Sequence, residues 1–411
     1  MNVLVLYEYR ESSANFNISL KIINELQNQG ITVFHNYFFN DKVSNTDETI
    51  DKVLSNSIHS NSSYYYLMHK FDDDWAWKPF SDKVIYLIKN PKFLCSYLSY
   101  KFDYLTRFKG GRKRIEALCL AKGIDIILGI SAPHEIEFVL SDIKYKVPKF
   151  VFRLDPYAYN PCLPESKFGK RIKAEHEVLS HIDRLFTTRL IIRDLLTDIA
   201  FKQYYSKFIV IEFPLISEND KCKNTTESKR HLFSKIAGKI YLLHAGYFYR
   251  DIRNPGKLVD FLKELPEEYI LVVAGFNSYT IRDYDSDIRD RIIDLGCLSR
   301  ADVDSVIEDC DFLITYNNLN TNMIPSKLFE CIDCGKPFIN LCHTNKCPTI
   351  EYVKGYNMAY TVVLDQPIQE NELIKFLENN KGKKSSREQI LKRYRKCTAS
   401  YVVSQLLEEI C

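Results

Sequence analysis

At 411 residues, with 45% hydrophobic and 27% charged residues, the chain is long enough for two ordinary globular domains. Its net charge of +3 does not predict a nucleic-acid partner, and its apolar runs are too short to span a bilayer. Because no signal peptide opens the sequence and its twelve cysteines are scattered, as reduced thiols are, we expect a cytoplasmic protein.

The first half of the sequence alternates strands and helices. A strand is predicted over 3–7, a helix over 18–29 and a second strand over 31–37, which together make a β-α-β unit. No glycine-rich phosphate loop follows the first strand, so this unit carries no dinucleotide fingerprint. Further on, the acidic run Asp72–Asp74 suggests either a metal site or a solvated loop, and we favour the loop.

A basic, aromatic segment follows at residues 101–114. It holds six lysines and arginines against a single acidic residue, Asp103. Such a segment is typical of a helix on an anionic membrane surface, which would place the protein at the inner face of the cell membrane. The alternative is a core helix followed by a solvated basic loop.

Two candidate site residues follow predicted strands of this first domain. His134 comes after a strand over 125–130, and Asp155 ends a strand over 149–154. Both therefore lie at strand ends on one side of a sheet, where α/β proteins place ligands. The structural alternatives are a histidine that caps a helix and an aspartate in an Asp-Pro turn. Further alternation completes a first domain over 1–215.

The polar stretch 216–235 is a predicted linker, and a second α/β domain is predicted over 236–385. Its first strand ends just before Gly246, and a short strand over 292–295 enters Gly296. Two helices begin with clear signals, because Asn254 precedes a proline and Ser299 precedes an amphipathic run. A final amphipathic helix over 386–410 is expected to pack back on the first domain.

The stretch 311–340 carries the clearest chemistry. It predicts a strand, a polar loop, a helix that begins at Pro325 and ends at Gly335, and another strand. A helix N-terminus attracts phosphate, and Ser326 and Lys327 add a hydroxyl and a positive charge there. Glu330 lies one turn further along the same face, where its carboxylate suits a ribose diol. The alternative is an ordinary surface helix.

The cysteines of this region are also candidate metal ligands. Cys331, Cys334, Cys342, Cys347 and His343 lie within a short stretch. Their spacing does not match the paired motifs of zinc ribbons, so we expect reduced cysteines in the core and loops and no metal site.

Several segments of the second half resemble the C-terminal domain of GT-B glycosyltransferases, most closely the family-4-like group of bacterial polysaccharide biosynthesis. In order, they are HAGYFYRDIRNPGKL, LVVAGF, IIDLGCLSRADVDSVIEDCDFLI and PSKLFECIDCGKPFI. The resemblance covers residues 239–345 clearly and the first domain only in outline. It implies two Rossmann-like, doubly wound domains that face each other across a cleft.

The resemblance also implies roles for individual residues. By position, Glu330 would bind the donor ribose, while Ser326 and Lys327 would hold the diphosphate. Gly246 would lie close to the phosphates, and Gly296 would lie where the backbone meets the nucleobase edge. The donor would be a UDP- or GDP-sugar, and neither a metal nor another cofactor would be required.

The sequence departs from the family pattern at two positions. Asn322 stands where the family often has a glutamate that contacts the transferred sugar, and Tyr247 stands where it has an arginine. Arg253 is the candidate to replace that cation and, with Lys327, to stabilise the leaving nucleoside diphosphate. The resemblance implies a retaining reaction, whereas an inverting one would need a general base, for which His134 and Asp155 are the candidates.

The resemblance therefore implies a glycosyltransferase. It would move a sugar from a nucleotide-diphosphate donor to a growing, lipid-linked glycan of the cell surface, such as a capsule, O-antigen or exopolysaccharide. Two alternatives stay open: a nucleotide-sugar epimerase on the same fold, and a catalytically silent subunit that keeps the fold and partners an active transferase.

Overall fold

The computed structural model describes residues 1–9, 14–39, 57–60, 112–113, 115–131, 134–160, 163, 165–219, 231–248, 253–283, 288–319 and 322–410. The chain divides into two compact units: unit 1 is Met1–Pro214 with Ala399–Cys411, and unit 2 is Leu215–Thr398. The acidic run Asp72–Asp74 and most of the basic segment over 101–114 lie outside the described residues.

Unit 1 contains a parallel sheet of seven strands. The strands are β1 (Asn2–Tyr9), β2 (Thr32–Phe39), β3 (Ser57–Ser60), β4 (Ile126–Ser131), β5 (Lys149–Arg153), β6 (Arg184–Thr187) and β7 (Phe208–Val210). Their order is β3-β2-β1-β4-β5-β6-β7, and every neighbouring pair is parallel. Strand β4 is buried along its whole length, because a parallel sheet with helices on its faces has no solvent side.

Helices connect these strands. They are α1 (Ala14–Asn28), α2 (residues 115–122), α3 (Glu135–Asp142), α4 (Phe168–His181) and α5 (Arg189–Thr197), with 3-10 turns at Glu165–Lys167 and Ile199–Lys207. Arg112, a described residue of the basic segment, forms a 3.1 Å ion pair with Asp142 at the end of α3.

Unit 2 contains a parallel sheet of six strands. They are β8 (Ile240–Ala245), β9 (Tyr269–Ala274), β10 (Ile292–Asp294), β11 (Phe312–Tyr316), β12 (Phe338–Cys342) and β13 (Ala359–Val363). Their order is β10-β9-β8-β11-β12-β13, again parallel throughout. The order reverses direction between β8 and β11, so their carboxyl ends form the switch point at which open α/β sheets bind ligands.

The helices of unit 2 are α6 (Pro255–Lys263), α7 (Arg300–Asp309), α8 (Ser326–Cys334), α9 (Thr349–Val353), α10 (Glu370–Asn380) and α11 (Arg387–Tyr394). The predicted caps are confirmed. The Asn254 side chain accepts the N–H of Gly256, and the Ser299 hydroxyl accepts the N–H of Asp302. Gly335 closes α8 with a φ of 74°.

The C-terminal segment differs from the single helix predicted over 386–410. Helix α11 ends at Tyr394, a 3-10 turn follows at Arg395–Cys397, and a separate helix α12 spans Ala399–Glu408. The break lies at Thr398, whose extended backbone forms a β-bridge with Ile216. Helix α12 belongs to unit 1, where it packs against α1.

Both units are thus α/β layers built on parallel sheets, as predicted. Among the described residues, no helix combines the length and the apolar character that crossing a membrane requires.

Candidate functional site

The N-terminus of α8 lies beside the switch point of unit 2. The helix begins at Ser326, one residue later than predicted, because Pro325 has an extended ψ of 132° and occupies the cap position. Pro325 offers no side-chain cap to the first turn. The free N–H groups of that turn therefore remain available to an anion, as at other helix N-termini.

Three charged side chains meet on the first turns of α8. The Lys327 ammonium donates to the Glu330 carboxylate at 2.8 Å, and the Arg300 guanidinium reaches the same oxygen, Oε2, at 3.2 Å. Burial alone would raise the pKa of Glu330, but Lys327 and Arg300 together lower it below its usual value. Glu330 is therefore held as an anion between two cations, which leaves an acceptor ready for hydroxyl donors.

Glycines bring the ends of three neighbouring strands together. Gly246 donates its N–H to the carbonyl of Ala274 at 2.8 Å, and Gly275 donates to the carbonyl of Gly296 at 2.8 Å. Gly275 has a φ of 138°, and a Cβ there would lie 2.2 Å from the Gly246 oxygen. Only glycine permits this approach, so the backbones at the ends of β8 and β9 pack directly against each other.

His244, the penultimate residue of β8, lies directly under this glycine cluster. It is buried, and a Cβ at Gly246 would lie 3.2 Å from its Nε2 atom. Its Nδ1 atom lies 3.4 Å from the carbonyl of Ile314 and must donate, because a carbonyl only accepts. Nε2 is therefore an unprotonated acceptor. It is buried with no hydrogen-bond partner among the described residues.

Two cations surround this buried imidazole. Burial, followed by the charge of Arg253 and more weakly that of Lys327, lowers the pKa of His244 to about 3. Arg253 donates through Nε to the Asn318 side chain at 2.8 Å. The pair of cations predicted for the diphosphate, Arg253 and Lys327, thus lies around one histidine at the ends of β8 and β11.

The buried neutral His244 makes unit 2 sensitive to acid. The pKa of His244 is about 3 in the folded chain and 6.5 in the unfolded chain. Between pH 3 and pH 6.5 the imidazole is therefore protonated in the unfolded chain and neutral in the folded chain. This contribution to stability is complete above pH 6.5 and falls as the pH drops towards 3. At pH 5, which is roughly 1.5 units below the pKa of the unfolded state, the free energy of unfolding is lower by about 2 kcal/mol, because each unit is equivalent to about 1.36 kcal/mol.

Urea unfolding at pH 7.5 and pH 5 measures this effect. The His244→Gln variant should lose about 2 kcal/mol less than the unmodified chain between these two conditions. His181→Gln, at an exposed histidine of α4, should lose as much as the unmodified chain. An acid sensitivity that His244→Gln leaves intact would contradict the assignment.

A second cluster lies in unit 1, at the end of β4. His134 is the N-cap residue of α3, as the helix-capping alternative predicted, although its side chain makes no cap hydrogen bond. Its Nδ1 instead lies 3.4 Å from both the Ser131 hydroxyl and the Glu137 carboxylate. The Tyr157 ring packs against the imidazole with centroids 4.8 Å apart.

Behind His134 is a buried ion network. Arg153 contacts Glu137 through two nitrogens and Glu175 through its third, at 2.6 Å, and all three side chains are essentially inaccessible to solvent. Burial alone would raise the pKa of Glu137, but Arg153 and then His134 hold it well below its usual range. Burial raises the pKa of the neighbouring Asp155, an effect that the charge of His134 partly opposes.

The cysteines of the metal alternative do not converge. Cys331 and Cys334 lie on α8, whereas Cys342 ends β12 and shares the Thr349 hydroxyl with Cys347. Across the described part of the chain, no group of three or more histidine, cysteine, aspartate or glutamate residues is arranged to hold a metal ion.

The predicted site residues fall into two groups, one in each unit. Gly246, Gly296, Arg253, Ser326, Lys327 and Glu330 lie in unit 2, whereas His134 and Asp155 lie in unit 1. Sequence reasoning missed Arg300, His244, Glu137 and Arg153. The available signals were slight: His244 precedes the strand-end glycine by two residues, and Glu137 follows His134 by three.

Comparisons with known proteins agree with this architecture. No protein-family model and no curated protein sequence matches the chain. Among solved structures, a glycosyltransferase from Rickettsia africae superposes with a TM-score of 0.63 at 13% identity, covering 100% of this chain and 97% of that one. HepE from Anabaena, solved in complex with UDP, gives 0.59 at 12% identity and 100% coverage of both chains.

The UDP-GlcNAc 2-epimerase of Neisseria meningitidis, solved with bound UDP-GlcNAc, gives a TM-score of 0.56 at 15% identity, covering 100% of this chain and 99% of that one. The chain has the GT-B fold. At these identities the likeness establishes the fold alone, and it confirms the fold expected from the resemblance.

Proposed function

We propose that this chain is a glycosyltransferase that moves a sugar from a nucleoside-diphosphate donor to a glycan acceptor. One observation carries the proposal: the free N-terminus of α8, with Lys327 and Glu330 on its first turns, lies at the switch point of unit 2. A nucleoside diphosphate carries both groups that this arrangement suits: a phosphate for the helix N-terminus and ribose hydroxyls for Glu330.

Each candidate site residue of unit 2 then has a proposed role. The diphosphate binds the first N–H groups of α8 with Ser326 and Lys327, and Arg253 supplies the second positive charge as the leaving group forms. Glu330 accepts the ribose hydroxyls, with Arg300 holding its carboxylate in place. The backbone at Gly246 and Gly296 approaches the phosphates and the nucleobase edge.

The donor is a UDP- or GDP-sugar, and UDP is favoured because HepE and the Neisseria epimerase share the fold and were solved with uridine nucleotides. The acceptor we propose is a growing lipid-linked glycan at the inner face of the cell membrane. Retention, which the resemblance implies, and inversion make different demands on unit 1, because only inversion requires a base there.

Thermal unfolding with a panel of nucleoside diphosphates and nucleotide sugars tests the site. A ligand at about 100 times its Kd stabilises the folded state by about 2.7 kcal/mol, so UDP or GDP should raise the Tm. Lys327→Ala and Glu330→Ala should each weaken binding about 10- to 100-fold, since a hydrogen bond to a charged group contributes about 1.5–3 kcal/mol. Lys257→Ala, an exposed lysine of α6, is the matched control and should bind as the unmodified chain does.

The likeness to an epimerase supplies the second candidate function. An epimerase converts the donor without any acceptor, so product analysis with donor alone separates it from a transferase. Nucleotide binding without turnover would indicate a catalytically silent subunit. Asn322, which replaces the usual glutamate, is consistent with that alternative. Absence of any nucleotide-dependent rise in Tm would overturn the proposed site.

A further inference from the structure

Two thiols meet at the carboxyl end of β12. Cys342 is the last residue of that strand, and Cys347 follows five positions later, just before the short helix α9. The hydroxyl oxygen of Thr349 lies 3.4 Å from the Cys342 sulfur and 3.1 Å from the Cys347 sulfur. A hydrogen bond between the two thiols also couples their ionisation. Both cysteines are free thiols, and they are neighbours in space.

Their surroundings give the two thiols different ionisation behaviour. The Cys342 thiol and the hydroxyl and N–H of Thr349 donate hydrogen bonds that lower the pKa of Cys347, although burial opposes them. The same contact with Cys347, together with burial, raises the pKa of Cys342. Because the thiolate is the nucleophilic form of a cysteine, Cys347 is the more reactive of the two.

Access to solvent differs between the two cysteines in the same sense. Cys342 has no exposed surface, whereas Cys347 is 7% exposed and follows the exposed residues Asn345 and Lys346. A small oxidant therefore reaches Cys347 from this turn, while Cys342 contacts Cys347 from inside the protein. This arrangement suits one cysteine that is oxidised first and a second that resolves it.

A second pair of cysteines, on α8, lacks these features. Cys331 and Cys334 lie three positions apart, and the Cys334 thiol donates to the carbonyl of Cys331 at 3.1 Å. Burial raises the pKa of both thiols. Both therefore stay protonated at neutral pH, and this pair serves as an internal control for reactions of the first pair.

Cys342 is also connected to the candidate donor site. The amide of Asn317, directly after β11, donates to the Cys342 sulfur at 3.6 Å. The next residue, His343, packs against Tyr316 with ring centroids 5.2 Å apart, and the Tyr316 hydroxyl donates to the carbonyl of Asn254 at 2.9 Å. Displacement of the Cys342 sulfur therefore acts on the end of β11 and on the cap of α6, where the candidate donor site lies.

We propose that Cys342 and Cys347 are a redox-active pair, which a hydroperoxide converts to a disulfide that weakens nucleotide binding by unit 2. The effect on nucleotide binding rests on the proposed function, whereas the formation of the disulfide does not.

With hydrogen peroxide as the oxidant, the reaction has two steps. The Cys347 thiolate attacks one peroxide oxygen, the O–O bond breaks, and the other oxygen leaves as hydroxide, which is protonated to water. Cys347 is then a sulfenic acid, so no thiolate remains to hold the proton of Cys342. The Cys342 sulfur loses that proton and bonds to the Cys347 sulfur, whose S–OH bond breaks and releases a second water. The two sulfurs lose two electrons in total, and the peroxide gains them.

Peptide mapping of the unmodified chain is the first measurement. The reduced chain is treated with hydrogen peroxide, its remaining thiols are alkylated, and it is cut with trypsin. Trypsin cleaves between the two cysteines, so a Cys342–Cys347 disulfide joins the peptides 328–346 and 347–354. Fragment masses distinguish this link from one through the two cysteines of α8. We expect the Cys342–Cys347 link, and we expect dithiothreitol to remove it.

Serine variants separate the roles of the two cysteines. Cys342→Ser should hold Cys347 as a sulfenic acid, which dimedone labels, because the second thiol is gone. Cys347→Ser should show neither the link nor the label at Cys342. Cys297→Ser, at an exposed cysteine, is the matched control and should form the link as the unmodified chain does.

Two outcomes would contradict the cysteine pair. Oxidation of the exposed Cys297 in the unmodified chain without the Cys342–Cys347 link would overturn the proposal. Equal dimedone labelling of Cys342→Ser and Cys347→Ser would reject Cys347 as the thiol that is oxidised first. The link is measured in the unmodified chain, so it decides the question even if a serine variant does not fold.

Titration of UDP and GDP into the reduced and oxidised chains tests the effect on nucleotide binding. Oxidation should weaken binding about 3- to 10-fold, the change that loss of one ordinary hydrogen bond produces, and dithiothreitol should restore it. Cys347→Ser should bind equally well before and after peroxide treatment. Unchanged affinity in a chain whose disulfide has formed would overturn the effect on binding. If the reduced chain binds neither nucleotide, the donor site is rejected, whereas absence of the link rejects the cysteine pair.

Discussion

Replacing Arg153 by methionine is expected to destabilise unit 1 by about 3–5 kcal/mol, because it leaves Glu137 and Glu175 buried without their shared cation. For a unit of this size, about 2–4 °C per kcal/mol corresponds to a fall of roughly 6–20 °C in the transition of unit 1. Calorimetry is the suitable measurement, since a chain with two compact units is not expected to unfold in one step.

Arg193→Met is the matched control. Arg193 is an exposed arginine of α5 that pairs with its neighbour Asp194, and its loss should cost less than about 1 kcal/mol. Adding Glu137→Gln and Glu175→Gln to Arg153→Met should recover part of the lost stability, because the uncompensated charges are then gone. An Arg153→Met protein that unfolds at the temperature of the unmodified chain would show that the network contributes nothing.

Replacing Gly275 by alanine is expected to be the most damaging single change in unit 2. The new Cβ would lie 2.2 Å from the Gly246 oxygen and 2.8 Å from its carbonyl carbon, at a backbone φ of 138°. Unfavourable φ and steric overlap together predict a cost of about 3–6 kcal/mol. Any protein that folds should also bind nucleotide weakly, because relief of the overlap displaces Gly246.

Gly382→Ala separates these two contributions. Gly382 has a φ of 73°, and a Cβ there would meet nothing within 4 Å. Its replacement should cost about 1–2 kcal/mol from backbone conformation alone and leave nucleotide affinity unchanged. Chemical denaturation and nucleotide titration of both variants provide the comparison, and equal losses in the two would reject the steric argument.

Local signals made much of the fold predictable from the sequence. The caps at Asn254 and Ser299 and the helix end at Gly335 each form their hydrogen bonds within one turn. Residues close in the sequence are therefore enough to determine where these helices begin and end. The strand ends that precede His134 and Gly246 follow from the alternation of apolar and polar runs along the sequence. The order of helices and strands in both units is the part of the fold that such patterns determine.

Features that depend on distant partners were not predictable in this way. Arg300 contacts Glu330 across 30 positions, and Arg153 joins carboxylates from α3 and α4. Likewise, the apolar periodicity of residues 386–410 continues through Thr398, although the bridge to Ile216 interrupts the helix there. In each case the partner comes from another element, and a single sequence does not show which elements become neighbours.

The assignment of α12 to unit 1 has a consequence for synthesis on the ribosome. Residues 1–214 emerge first, yet the helix that packs against α1 is made only after all of unit 2. Unit 2 is continuous in the chain and has its complete set of residues before unit 1 does. After residue 214 has been made, about 180 more residues must follow before α12 is synthesised, roughly 10–40 s at about 5–20 residues per second, and a chaperone can bind the uncovered surface of α1 in that interval.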